Sequence, residues 1–161
     1  MALRNILITF GIFIAVAAAA DGQTPNSPPA AAKFDAALAK KTGADQFGMR
    51  LYVLCILKTG PKDSKIKGSR RETIFKGHMA NIQKLAKEGK LALAGPFGKN
   101  DITFRGLFIF AVATVEEAKK LAQTDPVLSS GVMVAEFVPW YGSAALMEVN
   151  ELHEKVAEKN F

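Results

Sequence analysis

Two strand-length runs, Leu51–Leu57 (LYVLCIL) and Leu107–Val112 (LFIFAV), are apolar at both alternating positions. Successive side chains of a strand point to opposite faces, so an antiparallel sheet with one wet face alternates apolar and polar residues. These runs do not alternate, and the sheet they build therefore needs cover on both faces. A chain of 161 residues has room for one domain. With 49% hydrophobic and 22% charged residues it has the composition of a globular core, not of a disordered tail.

The remaining elements follow from periodicity and punctuation. Phe34, Ala37, Leu38 and Lys41 fall at helical spacing between Ala31 and Lys41, with Gly43 as the stop. After the first strand, Lys58 to Arg70 reads as a basic loop containing Gly60, Pro61, Gly68, Lys62, Lys65 and Lys67. Glu72 to Glu88 is helical, with Ile74, Phe75, Met79, Ile82, Leu85 and Ala86 on its buried face and Gly89 ending it. Leu91–Ala94 and Arg105–Ala113 form a hairpin across Gly95, Pro96, Gly98, Asn100 and Asp101. Thr114 and Glu117 have capping-box spacing before a helix carrying Val115, Ala118, Leu121 and Ala122, limited by Pro126. Val132–Trp140 is the last strand, and Leu146, Val149, Leu152 and Val156 mark a closing amphipathic helix. The fold class is α+β: a ferredoxin-like βαββαβ domain with an antiparallel sheet and a helix at each end. A second copy, face to face, is the simplest cover for the free sheet face, with the terminal helices as the alternative; this makes a homodimer the expected state.

The start of the chain reads as an export signal. Arg4 is the only charge before Asp21, and Ile6–Ala20 is an apolar run too short for an ordinary bilayer span. Ala18 and Ala20 supply the small residues of a cleavage site, placing the cut before Asp21. Residues 1–20 are thus the signal peptide, 21–30 a linker, 31–48 a helix and connector, 49–141 the main domain and 142–161 the closing helix. The mature chain would be periplasmic or secreted, with no stable membrane anchor after cleavage; an uncleaved anchor is the alternative.

Charge and cysteine content narrow the partners. Lysine plus arginine number 21 against 15 acids, a formal +6, but the excess is spread over many short segments, so no nucleic-acid partner is expected. A single cysteine, Cys55, and two histidines supply neither an intramolecular disulfide nor a zinc-binding set, so no metal is expected.

Two polar residues stand out. His78 lies four residues after Ile74 and four before Ile82, on the apolar face of the long helix, where a polar group needs a partner. Asp125 sits at the end of the next helix, where the helix dipole disfavours a carboxylate. Taken alone, His78 reads as a hydrogen-bonded core histidine and Asp125 as the cap of a short turn through Val127–Ser130. Spacing does not show that the two meet. Cys55, in mid-strand, reads as a small core residue, His153 as packed near the stripe of the closing helix, and Trp140 and Tyr141 as core closure or pocket lining.

The segments His78-Met79-Ala80-Asn81-Ile82, Glu88-Gly89-Lys90-Leu91 and Ala94-Gly95-Pro96, followed by Glu116-Glu117-Ala118, Asp125-Pro126 and Pro139-Trp140, occur in the order of the YciI-like, YCII-related family. The chain resembles that family from about Leu51 to Trp140. The resemblance implies a dimeric α/β barrel, in which two ferredoxin-like sheets pack together and each subunit holds a pocket. It also implies a site made by a histidine of the first helix and an aspartate before the proline, here His78 and Asp125. The family includes a dehydrochlorinase of a chlorinated hydroxyquinol, whereas most members have no assigned reaction and are usually cytoplasmic.

An imidazole moves protons at neutral pH, and a carboxylate beside it fixes its tautomer and stabilises the imidazolium. The expected activity is that of a small-molecule lyase or isomerase with His78 and Asp125 as the catalytic pair and no cofactor. Gly95, Pro96 and Arg105 are candidate substrate contacts, Gly95 and Pro96 as a turn beside the pocket, and the ligand is anionic or aromatic. The competing reading is a non-catalytic small-molecule-binding module; a haem protein is a third, with only His78 as a ligand.

Overall fold

The computed structural model describes residues 33–159, and the architecture below is that of the compact unit beginning at Asp35. The expected signal peptide and linker lie outside the described residues. Four strands, β1 (Met49–Thr59), β2 (Leu91–Pro96), β3 (Phe104–Phe110) and β4 (Met133–Ser143), form one antiparallel sheet in the order β2-β3-β1-β4. Helix α1 (Ala36–Thr42) precedes β1, and α2 (Gly68–Lys87) connects β1 to β2. Helices α3 (Val115–Ala122) and α4 (Pro126–Ser129) lead from β3 to β4. A 3-10 turn, Ala144–Glu148, then runs into α5 (Val149–Val156). The order and pairing are those of an α+β, ferredoxin-like domain.

The two faces of the sheet are filled differently. On one, Val53, Cys55 and Leu57 of β1 and Phe108 and Phe110 of β3 pack under Leu85 of α2 and Ala118 and Ala122 of α3. On the other, Tyr52, Ala92 and Ile109 are covered by Leu146 and Met147 of the 3-10 turn, with Trp140 beside Tyr52. That cover reaches only part of the second face. Val134 and Val138 of β4, which pair with Lys58 and Leu54, stay exposed on it. The doubly apolar strands are therefore covered on one face by α2 and α3 and on part of the other by the chain's own C-terminal segment.

That segment is tied down by polar contacts. Asn150 Nδ2 donates to the Leu91 carbonyl at 2.7 Å. Lys41 of α1 reaches Glu148 and Glu151 at 2.8 and 2.9 Å, and Glu151 also takes Lys155. The ammonium groups of Lys155 and Lys41 hold the Glu151 carboxyl down at about 2.

Element boundaries depart from expectation where a cap is missing or hidden. Helix α1 begins at Ala36, five residues later than expected, because Asp35 caps it by accepting from Leu38 N–H at 2.9 Å. Gly43 ends it with φ 69, a left-handed conformation that glycine adopts without penalty. Helix α2 starts at Gly68, four residues before the expected Glu72, with no side-chain cap to signal it, so Gly68, Ser69 and Arg70 belong to its first turn and not to the basic loop. Pro126 does not limit α3, which ends at Ala122; it opens α4 in the first helical position, where proline needs no N–H partner. Thr114 caps α3 as its spacing predicts, accepting from Glu117 N–H at 3.2 Å. His153 is exposed, not packed, and Leu152 and Val156 of α5 face outward as well. Their spacing is helical, yet the turn before α5 does the covering.

Candidate functional site

Helix α2 crosses the sheet with its apolar face inward, and that orientation buries His78 to 9% exposure. The preceding residue, Gly77, sets how near α4 can come: a Cβ there would stand 2.9 Å from Pro126 Cγ. The close approach brings Asp125, at the start of α4, beside the imidazole. His78 Nδ1 lies 2.7 Å from Asp125 Oδ2, and the carboxylate is fully buried.

Asp125 has two roles at once. Its Oδ1 accepts from Val127 N–H at 3.0 Å, capping α4, while Oδ2 holds the imidazole. Both sequence readings of this residue, cap and partner, are present together. The imidazole is fixed from its faces as well. Phe108 stacks on it at 5.8 Å between ring centroids and 28° between planes, and Phe75 meets it edge-on at 6.1 Å.

An ionised carboxylate only accepts, so Nδ1 carries the proton and donates it to Asp125, leaving the lone pair on Nε2. The pair is equipped to take a proton at Nε2 and to stabilise the resulting imidazolium through the buried carboxylate.

Cys55 is buried within reach of the same carboxylate's charge. Burial, with the Asp125 charge adding to it, pushes its thiol up to about 12. A thiol raised this far carries almost no thiolate at neutral pH, and thiolate is the reactive form. Alkylation of the native protein by iodoacetamide at about pH 8 is expected to run roughly a thousandfold slower than that of a peptide cysteine, with full labelling in urea. Rapid native labelling, read by intact mass, would contradict the buried placement.

The other candidates make no hydrogen bond to the pair. Gly95 and Pro96 do not form a turn: they are the last residues of β2, paired with Leu107 and Gly106. A proline fits there because β2 is an edge strand, where a missing N–H leaves no ladder bond unmade. They follow Ala94, the strand partner of Phe108, so they continue along β2 from the ring that supports His78. Arg105 is exposed, and its Nε donates to Thr59 Oγ1 at 2.7 Å. An open depression of about 350 Å³ lies at another place, lined by Gly43, Asp45, Arg50 and Tyr141 among others and by neither member of the pair. There the Tyr141 hydroxyl donates to Asp45, which lowers the carboxyl and raises the phenol from their ordinary values. Among the described residues no group of three His, Cys, Asp or Glu side chains could hold a metal.

Sequence reasoning did not single out Phe108, Phe75 or Gly77. The two phenylalanines carry no signal beyond apolar periodicity. Gly77 did have one: a glycine in mid-helix costs about 1 kcal/mol against alanine and calls for a packing reason.

No curated protein matches the chain. Among solved structures, the chain is similar to 5-chloro-2-hydroxyhydroquinone dehydrochlorinase from Burkholderia phenoliruptrix AC1100, in complex with 2,5-dihydroxybenzoquinone. The identity is 20%, the alignment covers 55% of this chain and 92% of that one, and the TM-score is 0.41. The model of the YCII-related domain matches residues 51–141, from the third residue of β1 through most of β4 and including both His78 and Asp125. The chain belongs to the YCII-related domain family.

Proposed function

We propose that this protein is a small-molecule lyase or isomerase in which His78 is the general acid–base and Asp125 its orienting carboxylate. The observation that carries the reading is the 2.7 Å bond between two buried polar side chains 47 residues apart, an imidazole Nδ1 and a carboxylate oxygen. A core histidine needs a partner, but a backbone carbonyl would satisfy it; a fully buried carboxylate is an expensive choice unless its charge is used. The chemistry such a pair performs is removal of a proton from an acidic C–H or phenolic O–H and its return at a neighbouring atom or to a leaving group. It needs no redox cofactor, and it suits a small anionic or aromatic ligand. Gly95 and Pro96, along β2 from Phe108, and Arg105 are the proposed substrate contacts.

The working unit in this proposal is a homodimer closed over the part of the second sheet face that the C-terminal segment leaves open. It acts after export, in the periplasm or outside the cell, once residues 1–20 are removed.

The test incubates the mature protein with a panel of phenols, halogenated hydroxyquinols and enolisable acids, following substrate and product by mass spectrometry. His78→Gln, which keeps a polar side chain of similar length, is expected to lose turnover by about 10²–10⁴ while its circular dichroism stays unchanged. Turnover that survives the substitution would overturn the assignment. Tight binding with no turnover by the unaltered protein would favour the non-catalytic binding module instead.

A further inference from the structure

Helix α2 and the segment leading into α4 touch at three successive points: Gly77 against Pro126, His78 against Asp125, and Asn81 against Thr124. At the third contact the hydrogen-bonding groups fix how the protons must be arranged. Thr124 Oγ1 lies 2.6 Å from the Leu121 carbonyl and 3.0 Å from Asn81 Oδ1. Both partners are acceptors, and a hydroxyl has one proton to give. Meanwhile Asn81 Nδ2 is buried and has no hydrogen-bond partner among the described residues. An orphaned amide N–H inside a protein calls for an explanation.

Every donor is satisfied when the Asn81 NH2 group, and not its carbonyl, faces Thr124. The Thr124 proton goes to Leu121, the shorter contact, and Nδ2 then donates to the lone pair of Thr124 Oγ1. The atom left without a partner is a carbonyl oxygen, which proteins tolerate more readily than an orphaned N–H.

We propose that Asn81, oriented with Nδ2 donating to Thr124 Oγ1, is a positioning residue for the His78–Asp125 pair. Thr124 is the residue before Asp125, so a bond from α2 to its side chain fixes the backbone from which the carboxylate projects. The Gly77–Pro126 contact fixes the other side. With both in place Asp125 Oδ2 is held against Nδ1, and the imidazole keeps a single tautomer. This deepens the acid–base reading, and rests on it for any consequence in turnover.

The test is made without substrate, so it stands or falls separately from that reading. Nitrogen-15 spectra of the His78 ring at alkaline pH, where an ordinary imidazole is neutral, report its tautomer, and exchange of the Nδ1 proton reports the bond to Asp125. Asn81→Leu and Thr124→Val are each expected to speed that exchange about tenfold and to bring in the Nε2–H tautomer. Thr124→Ser, which keeps the hydroxyl, is expected to match the unaltered protein. The double variant should shift the signals no further than either single one, since both remove the same contact. If Asn81→Leu and Thr124→Val lower Tm yet leave the ring signals and exchange unchanged, the contact is structural only and the proposal fails. Should Asn81→Leu not fold, Thr124→Val against Thr124→Ser decides by itself.

Discussion

Replacing Asp125 by asparagine is expected to preserve the fold and to abolish most of the proposed activity, while alanine at the same place should damage both. Asparagine is as good an N-cap as aspartate, so its carbonyl oxygen keeps the bond from Val127 N–H. Its NH2 group then faces His78 Nδ1 and demands an acceptor there. The imidazole answers by moving its proton to Nε2, the nitrogen that must be free to act as a base. Stability should change by less than about 1 kcal/mol, and turnover should fall by about 10²–10⁴. Alanine removes the cap, worth about 1 kcal/mol, and strands the buried Nδ1–H of His78, worth about 1–3 kcal/mol more. A loss of about 2–4 kcal/mol in urea unfolding at neutral pH is therefore expected. The contrast between the two variants is the informative quantity. If asparagine costs as much stability as alanine, the carboxylate is there for packing and capping. If asparagine keeps full turnover, the tautomer is not what the protein uses.

How much of this was readable from the chain depends on the range of the interaction. Local signals were sound where the physics is local: Thr114 and Glu117 announced the start of α3, Gly43 the end of α1, and the spacing of His78 between Ile74 and Ile82 its inward direction. Where a helix lacks a capping side chain, as at Lys67 before α2, no residue marks the boundary, and the expected start falls four residues late. Gly95 and Pro96 read as a turn because proline usually breaks strands, and only the sheet order shows that β2 is an edge. The meeting of His78 and Asp125 spans 47 residues, beyond any spacing rule. The resemblance to a family implied it, and the three-point contact of α2 with residues 124–126 is its physical cause. That contact depends on Gly77 as much as on the two polar residues, and a glycine announces an absence of side chain without saying what fills the space. The half-cover of the second sheet face was hidden for a related reason. The same apolar stripe that predicts the closing helix leaves Leu152 and Val156 outside, and the burying is done by Leu146 and Met147.

That half-cover sets the last expectation, on the proposed dimer. With Leu146 and Met147 over Tyr52, Ala92 and Ile109, the exposed apolar surface of the second face includes Val134 at 43% and Val138 at 47% exposure, both on β4. Covering even a few hundred Å² of such surface yields several kcal/mol at about 25 cal/mol per Å², against which the loss of freedom on association must be set. A patch of this size supports a dimer only if it is not interrupted by an unpaired charge. Glu136, between the two valines on the same face, meets that condition by taking Lys58 at 2.7 Å. Val138→Glu places a second, unpaired carboxylate in the patch, and a buried unpaired charge is expected to weaken association by about 100-fold or more. The folded monomer should tolerate it, since the site is already half-exposed. Leu152→Glu, on the outward side of α5 at 56% exposure, serves as the control and is expected to leave association unchanged. Sedimentation at micromolar concentration reads both. A protein that is monomeric before any substitution would remove the dimer, and one that dissociates with Leu152→Glu but not with Val138→Glu would move the interface to α5. In either of those cases the valines of β4 would need another occupant, and the completed barrel would drop out of the functional picture while the His78–Asp125 pair, contained within one chain, would not.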